Sequence, residues 1–315
     1  MTPVGDAAVE PPELPHRPSF RFRLREGPPL LLDGATGTEL TRRGVDTGLP
    51  MWSGKALLQA PNTLVAIHRD YVEAGAEIIT ANTFRTHRRS LAAAGYGDEA
   101  AALSGRAVQL AREATASVVA DGARSVYVAG SMAPLEDCYS PDLVPDQGAL
   151  AAEHGEMAVA LADAGADLLL VETMNTIREA AAAAEAAVAT GLPVLVGFVC
   201  GRDGKLLSGE SVTAAADRLG AQGVDGLLIN CSPTPDLAAA LGELSAAIDL
   251  PIGAYGNVGY VDDTQGWVNT DSVDPDAYAR HADKWLDLGA RVIGSCCGTG
   301  PAHTIALRAR IDARH

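Results

Sequence analysis

Short apolar runs alternate with longer Ala-, Leu-, Glu- and Arg-rich segments along most of the chain. The runs are LLLDG from Leu30, EIITANT from Glu77, VYVAGS from Val126, DLLLVET from Asp167, VLVGFVC from Val194, GLLINCS from Gly226, PIGAYGN from Pro251 and RVIGSCC from Arg291. Each is nearly continuous in apolar residues rather than alternating, so both faces of the strand are buried, as in a parallel sheet covered by helices. The spacing predicts eight β/α units.

A repeat inside this pattern sharpens the reading. Gly75, Gly165, Gly223 and Gly289 each close a helical segment and are followed by Ala or Val; seven residues after each comes a polar side chain, Asn82, Glu172, Asn230 and Cys296. Glycine past a helix end supplies the left-handed cap, so four helix-to-strand joints share one construction, and each strand turns polar at its far end. The predicted fold is α/β, a single-domain (β/α)8 TIM barrel over residues 28–315. A doubly wound open sheet is the competitor, but the first turn reads DGATGTEL and lacks a nucleotide-binding glycine pattern. Residues 1–27 hold Pro3, Pro11, Pro12, Pro15 and Pro18 among mixed charges and are expected to form a disordered or loosely attached tail.

In such a barrel the polar residues at the C-terminal strand ends share one rim, where active sites are built. The rim would carry Asp33, Asn82, Thr83, Glu172, Asn230, Cys231, Asn257, Cys296 and Cys297. Three of the five cysteines therefore converge from the sixth and eighth strands. Singly, each reads as a small buried hydrophobe, and a disulfide between the adjacent pair needs a strained ring. Together they point to a metal site: three thiolates form a partial tetrahedral shell for Zn2+ at about 2.3 Å and leave a fourth position open, as in catalytic zinc sites. Zn2+ among three thiolates carries net negative charge, which suits holding a thiol nucleophile better than polarising water.

Charge and composition narrow the partners. Lys and Arg number 24 against 40 Asp and Glu, a formal charge of −16, which opposes binding to nucleic acid or an anionic membrane. No apolar run approaches the roughly 20 residues of a membrane span, and the N-terminus lacks a signal-peptide core, so a cytoplasmic location is expected. Five sparse cysteines suit a reducing compartment. The lysines, Lys55, Lys205 and Lys284, lie away from strand ends, which removes a Schiff-base aldolase.

The segments LLDGATGTEL, AIHRDYVEAGAEIITANTF, LLLVETMNTIREA, LLINCSP and VIGSCCGTGP resemble the homocysteine S-methyltransferase family, from about Leu30 to about Arg310. The family includes S-methylmethionine-dependent and betaine-dependent enzymes and the homocysteine module of cobalamin-dependent methionine synthase. The resemblance implies zinc on Cys231, Cys296 and Cys297, with Glu172 and Asp33 receiving the ammonium of homocysteine. Thr83 and Asn230 would orient substrate or the groups behind it, or equally tie down loops, and Trp52, in LPMWSGK, would face the methylated cation of the donor. Plainer roles stand beside these: Glu172 as a helix N-terminal carboxylate, Asp33 as a turn residue, Trp52 packed under a loop.

The implied activity is zinc-dependent methyl transfer, best from S-methylmethionine or S-adenosylmethionine, to the thiol of L-homocysteine, giving methionine. Alternatives are betaine or a corrinoid-delivered methyl group, a related thiol as acceptor, or a non-catalytic zinc- and thiol-binding subunit of a corrinoid methyltransferase system. MWSGK is similar to the S-methylmethionine branch, whereas GSMAPLEDCYSPDLVP departs from it. Cys138 and Cys200 read as a loop bystander and a packing thiol. The sequence gives no oligomeric state.

Overall fold

A computed structural model of the chain describes residues 17–118, 125–262 and 264–315. Eight strands form one parallel sheet: β1 (Leu30–Leu31), β2 (Ile78–Thr80), β3 (Tyr127–Met132), β4 (Leu168–Met174), β5 (Val194–Phe198), β6 (Gly226–Pro233), β7 (Ile252–Asn257) and β8 (Val292–Ser295). Their order is β1-β8-β7-β6-β5-β4-β3-β2. The two ends meet, because Leu32 bridges Ile78, Glu77 N donates to Leu31 O at 2.8 Å and Asp33 N donates to Ile78 O at 3.0 Å. The sheet thus closes into the expected (β/α)8 barrel, and each predicted apolar run supplies one strand.

Alternation along the strands divides two cores. Leu30, Leu32, Ile78, Tyr127, Ala129, Leu168, Leu170, Leu195, Leu228, Tyr255 and Val292 pack as one cluster in the lumen. Their neighbours, among them Leu31, Ile79, Val128, Leu169, Leu227 and Ile293, join the larger cluster under the helices. Both strand faces are dry, which is why the sequence runs read as continuous. The four cap glycines take the left-handed conformation the repeat demands, with φ of 108°, 84°, 82° and 88° at Gly75, Gly165, Gly223 and Gly289.

The expected loose tail is corrected at residues 17–27, while residues 1–16 of it lie outside the described residues. Phe20–Arg25 is a helix whose N-cap, Ser19 Oγ, accepts from Phe22 N at 3.3 Å. Phe20 and Leu24, four apart and so on one helix face, are 3% and 1% exposed and join the lumen cluster. The helix plugs the N-terminal mouth of the barrel.

Its anchors come from the same glycine repeat. Two residues after three of the cap glycines stand Glu77, Asp167 and Asp225, and these pair with Arg23 at 2.7 Å, Arg17 at 2.5 Å and Arg21 at 2.7 Å. At the fourth, Arg291 Nε donates to Leu24 O at 3.0 Å. The prolines misled because the last of them, Pro18, precedes the helix and leaves its ladder intact. A second unforeseen element is an antiparallel hairpin, Gly259–Asp262 with Gly266–Asn269, inserted between β7 and β8. Among the described residues no helix is long and apolar enough to cross a membrane.

Candidate active site

At the C-terminal rim two strands break their regular conformation just where chemistry is expected. Thr173, next to last in β4, has φ 63° and Cys231, two residues before the end of β6, has φ 53°, and strand pairing shifts register beside each. A non-glycine residue holds this conformation only when its surroundings fix it. Asn230 supplies part of that hold: its Oδ1 accepts from Thr173 N at 3.0 Å and its Nδ2 donates to Thr173 Oγ1 at 2.8 Å.

Cys231 therefore turns toward the loop after β8. The sulfur atoms of Cys231, Cys296 and Cys297 all lie within 4.8 Å of one another, those of the adjacent pair at 4.0 Å. Sulfurs bonded tetrahedrally to zinc at about 2.3 Å stand about 3.8 Å apart, so shifts of about 1 Å or less would complete the shell. The donor set fits zinc. Asn257, the last residue of β7, braces it, its Nδ2 donating to Cys231 O at 2.8 Å and its Oδ1 accepting from Cys297 N at 3.1 Å. Tyr139 brings its hydroxyl to 3.1 Å from Cys231 Sγ.

The three thiols share their protons unevenly. Hydrogen bonds from Cys296 and then Cys297 hold the Cys231 thiol well below its ordinary range. The hydrogen bond with Cys231 in turn pushes both of the others well above it. Three sulfurs, one of them easier to ionise than an ordinary thiol, make a soft site of the kind divalent zinc prefers.

Two carboxyls lie on the floor of the same cavity, which encloses about 820 Å³. Glu172, 8% exposed, accepts from Ser131 Oγ at 2.5 Å and Tyr255 Oη at 3.0 Å. Burial pushes its pKa up to about 7 against those two bonds. Asp33, 2% exposed, accepts from Thr80 N and Thr80 Oγ1, both at 2.8 Å. Burial lifts it to about 8, aided by the charge of Glu172 and opposed by the Thr80 bonds. Two desolvated acids facing one cavity accommodate a cation better than they accommodate each other.

Trp52 lines the cavity near Phe84, edge-on with ring centroids 5.6 Å apart. Space for its indole comes from Gly37, where a Cβ would collide with the Trp52 ring. Thr83 and Asn230, expected to touch substrate, do not line the cavity. Thr83 Oγ1 instead donates to Ser131 O at 2.8 Å and accepts from Ser131 N at 2.9 Å, tying β2 to β3. Both are fully buried, with the polar end of Thr83 bonded to backbone and that of Asn230 to the backbone and hydroxyl of Thr173. Cys138 lines the cavity outside the sulfur cluster, and Cys200 is buried in the helix-side core.

Sequence reasoning missed Ser131, Tyr255 and Thr80, the residues that hold the two carboxyls. The available signal was a hydroxyl at the far end of an otherwise apolar strand, as in VYVAGS and PIGAYGN. It missed Tyr139 too, which lies in a loop without periodic pattern.

The homocysteine S-methyltransferase family model matches residues 30–311. Homocysteine S-methyltransferase of Escherichia coli (strain K12) is 34% identical over 89% of this chain and 94% of its own. Selenocysteine Se-methyltransferase of Brassica oleracea var. italica is 28% identical over 94% of this chain and 93% of its own. The metallated crystal structure of the Escherichia coli homocysteine methyltransferase MmuM superposes with a TM-score of 0.81 at 32% identity, covering 92% of this chain and 99% of that one. On these likenesses the chain belongs to the homocysteine S-methyltransferase family of enzymes.

Proposed function

We propose that the protein transfers a methyl group from a small sulfonium donor, S-methylmethionine or S-adenosylmethionine, to the thiol of L-homocysteine, giving methionine, with zinc held by Cys231, Cys296 and Cys297. The observation that carries this reading is the approach of three sulfurs within 4.8 Å beside a buried carboxyl pair in one cavity. Bound there, zinc would keep the incoming thiol deprotonated while leaving its sulfur electron-rich.

The remaining work falls to the chain itself. Glu172 and Asp33 meet the ammonium of homocysteine; that cation repays the cost of ionising two desolvated acids and fixes which way the amino acid lies. Tyr255 and Ser131 orient Glu172, and Thr80 orients Asp33. Displacement at a methyl carbon is in line, so the catalytic gain comes from holding acceptor sulfur and methyl carbon close and aligned. Trp52 and Phe84, packed edge to face, supply an aromatic wall for the methylated cation. A cavity of about 820 Å³ lies in the upper range of small-molecule sites, which leaves room for acceptor and donor together.

A donor screen tests the reading. Zinc-loaded protein is mixed with homocysteine and, in turn, S-methylmethionine, S-adenosylmethionine, betaine or methylcobalamin, and methionine is quantified. Methionine from a sulfonium supports it. No methionine from any donor, with zinc verified in the protein, removes it.

A further inference from the structure

We propose that Arg85 reads the carboxylate of the methyl donor, and that it thereby determines which methylated cations the site accepts; this rests on the function proposed above. The floor of the cavity holds the acids Asp33 and Glu172, 2% and 8% exposed. Arg85, half-buried in the loop after β2, lines the same cavity, as do Trp52, Phe84, Arg89, Glu136 and Asp137.

The guanidinium of Arg85 is positioned but unmatched in charge. Its Nη1 donates to the Glu136 carbonyl at 3.1 Å, and its central carbon lies 5.6 Å from the Phe84 ring centroid. Two other arginines of the same RTHRR segment are neutralised twice over: Arg88 pairs with Asp98 and Glu156, and Arg89 with Glu136 and Glu153. No carboxylate pairs with Arg85 among the described residues. A planar fork with free N–H donors, held at one nitrogen against a neighbouring loop, is preorganised for a carboxylate.

Charge then sorts the two substrates. The acceptor's ammonium belongs at the acidic floor. A donor whose methylated cation rests on the Trp52–Phe84 wall would direct its anionic end to Arg85, which adjoins that wall. The plainer role for Arg85 is to tie the loop after β2 to Glu136 of the loop after β3. That role predicts altered stability without any change in donor choice.

The test compares S-methylmethionine with its carboxylate-free analogue, 3-aminopropyl-dimethylsulfonium, each with homocysteine and zinc-loaded protein. Wild type is expected to favour S-methylmethionine in kcat/KM by roughly 10- to 100-fold, the size of a charge-assisted hydrogen bond. In Arg85→Gln that preference should fall toward parity through the donor's KM, with the KM of homocysteine held. Arg85→Lys, which keeps the charge but loses the fork, should retain part of it and serves if the glutamine variant folds poorly. A preference that survives in Arg85→Gln, or a loss that appears in the KM of homocysteine, overturns the assignment while leaving the proposed function standing. Wild-type protein that forms methionine from neither of these sulfoniums nor from S-adenosylmethionine overturns both.

Discussion

Asn257 binds Cys231 directly, donating from Nδ2 to its carbonyl at 2.8 Å, while the same amide accepts from Cys297 N at 3.1 Å. One side chain at the end of β7 thus couples the two halves of a sulfur cluster that arrive on β6 and after β8. The close approach of the thiols is therefore built into the sheet order, in which β7 lies between those strands.

Asn257→Ala should weaken zinc binding by roughly 10- to 100-fold, the usual effect of losing a group that orients ligands from behind. Competition against a chromophoric chelator measures it. Unchanged affinity would show that the loop after β8 holds its geometry without this brace.

Cys296→Ala should abolish both zinc retention and methyl transfer while leaving the barrel folded, since Cys296 is half-buried at the rim and the lumen core lies below it. Metal content, circular dichroism and methionine formation are read on one preparation. Activity retained by a metal-free variant would contradict the proposed chemistry.

Glu172→Gln should leave zinc in place and raise the dissociation constant of homocysteine by roughly 10- to 100-fold, because a hydrogen bond to a charged group is worth about 1.5–3 kcal/mol. Titration calorimetry separates the two effects. Equal affinity in wild type and variant would take the ammonium away from Glu172.

The buried acids give a pH signature whose sign follows from their raised values, about 8 for Asp33 and about 7 for Glu172. The folded state favours their neutral forms, so this stabilisation is complete below the ordinary carboxylate range and is lost progressively as pH rises from about 4 to the raised values of about 7 and about 8. Ligand-free protein should lose denaturation midpoint across that window, and Asp33→Asn should flatten the decline. An arriving ammonium favours the ionised forms, so homocysteine binding near pH 7 should release protons from these carboxyls. Asp33→Asn should diminish that release, as seen by calorimetry in buffers of different ionisation heat; identical release in wild type and variant would contradict the pairing.

How much of this was legible depended on whether the determinant was local. The eight strands could be read because each is apolar on both faces, and the cap glycines because a positive φ selects that residue. The cysteines could be assembled because barrel topology sends every strand end to one rim. The hold on Thr173 by Asn230 was not legible, since it depends on a conformational break at two strand ends that no periodicity marks. For the same reason Thr83 and Asn230 looked like substrate contacts although their bonds go to backbone and Thr173. The N-terminal plug was hidden because Phe20 and Leu24 gain their burial only from a lumen built by residues far along the chain.

That plug carries its own prediction. Phe20→Ala should cost about 3–5 kcal/mol of stability in chemical denaturation, as for a large aromatic removed from a core. A change below about 1 kcal/mol would show that the helix merely rests against the barrel.

The central claim is that three cysteines hold a zinc ion with one position free for a thiol. Zinc-edge X-ray absorption on the loaded protein, before and after adding homocysteine, tests it most directly. The account predicts three sulfur neighbours at about 2.3 Å, rising to four when homocysteine is present. A shell that contains fewer than three sulfurs, or one that homocysteine leaves unchanged, would contradict it.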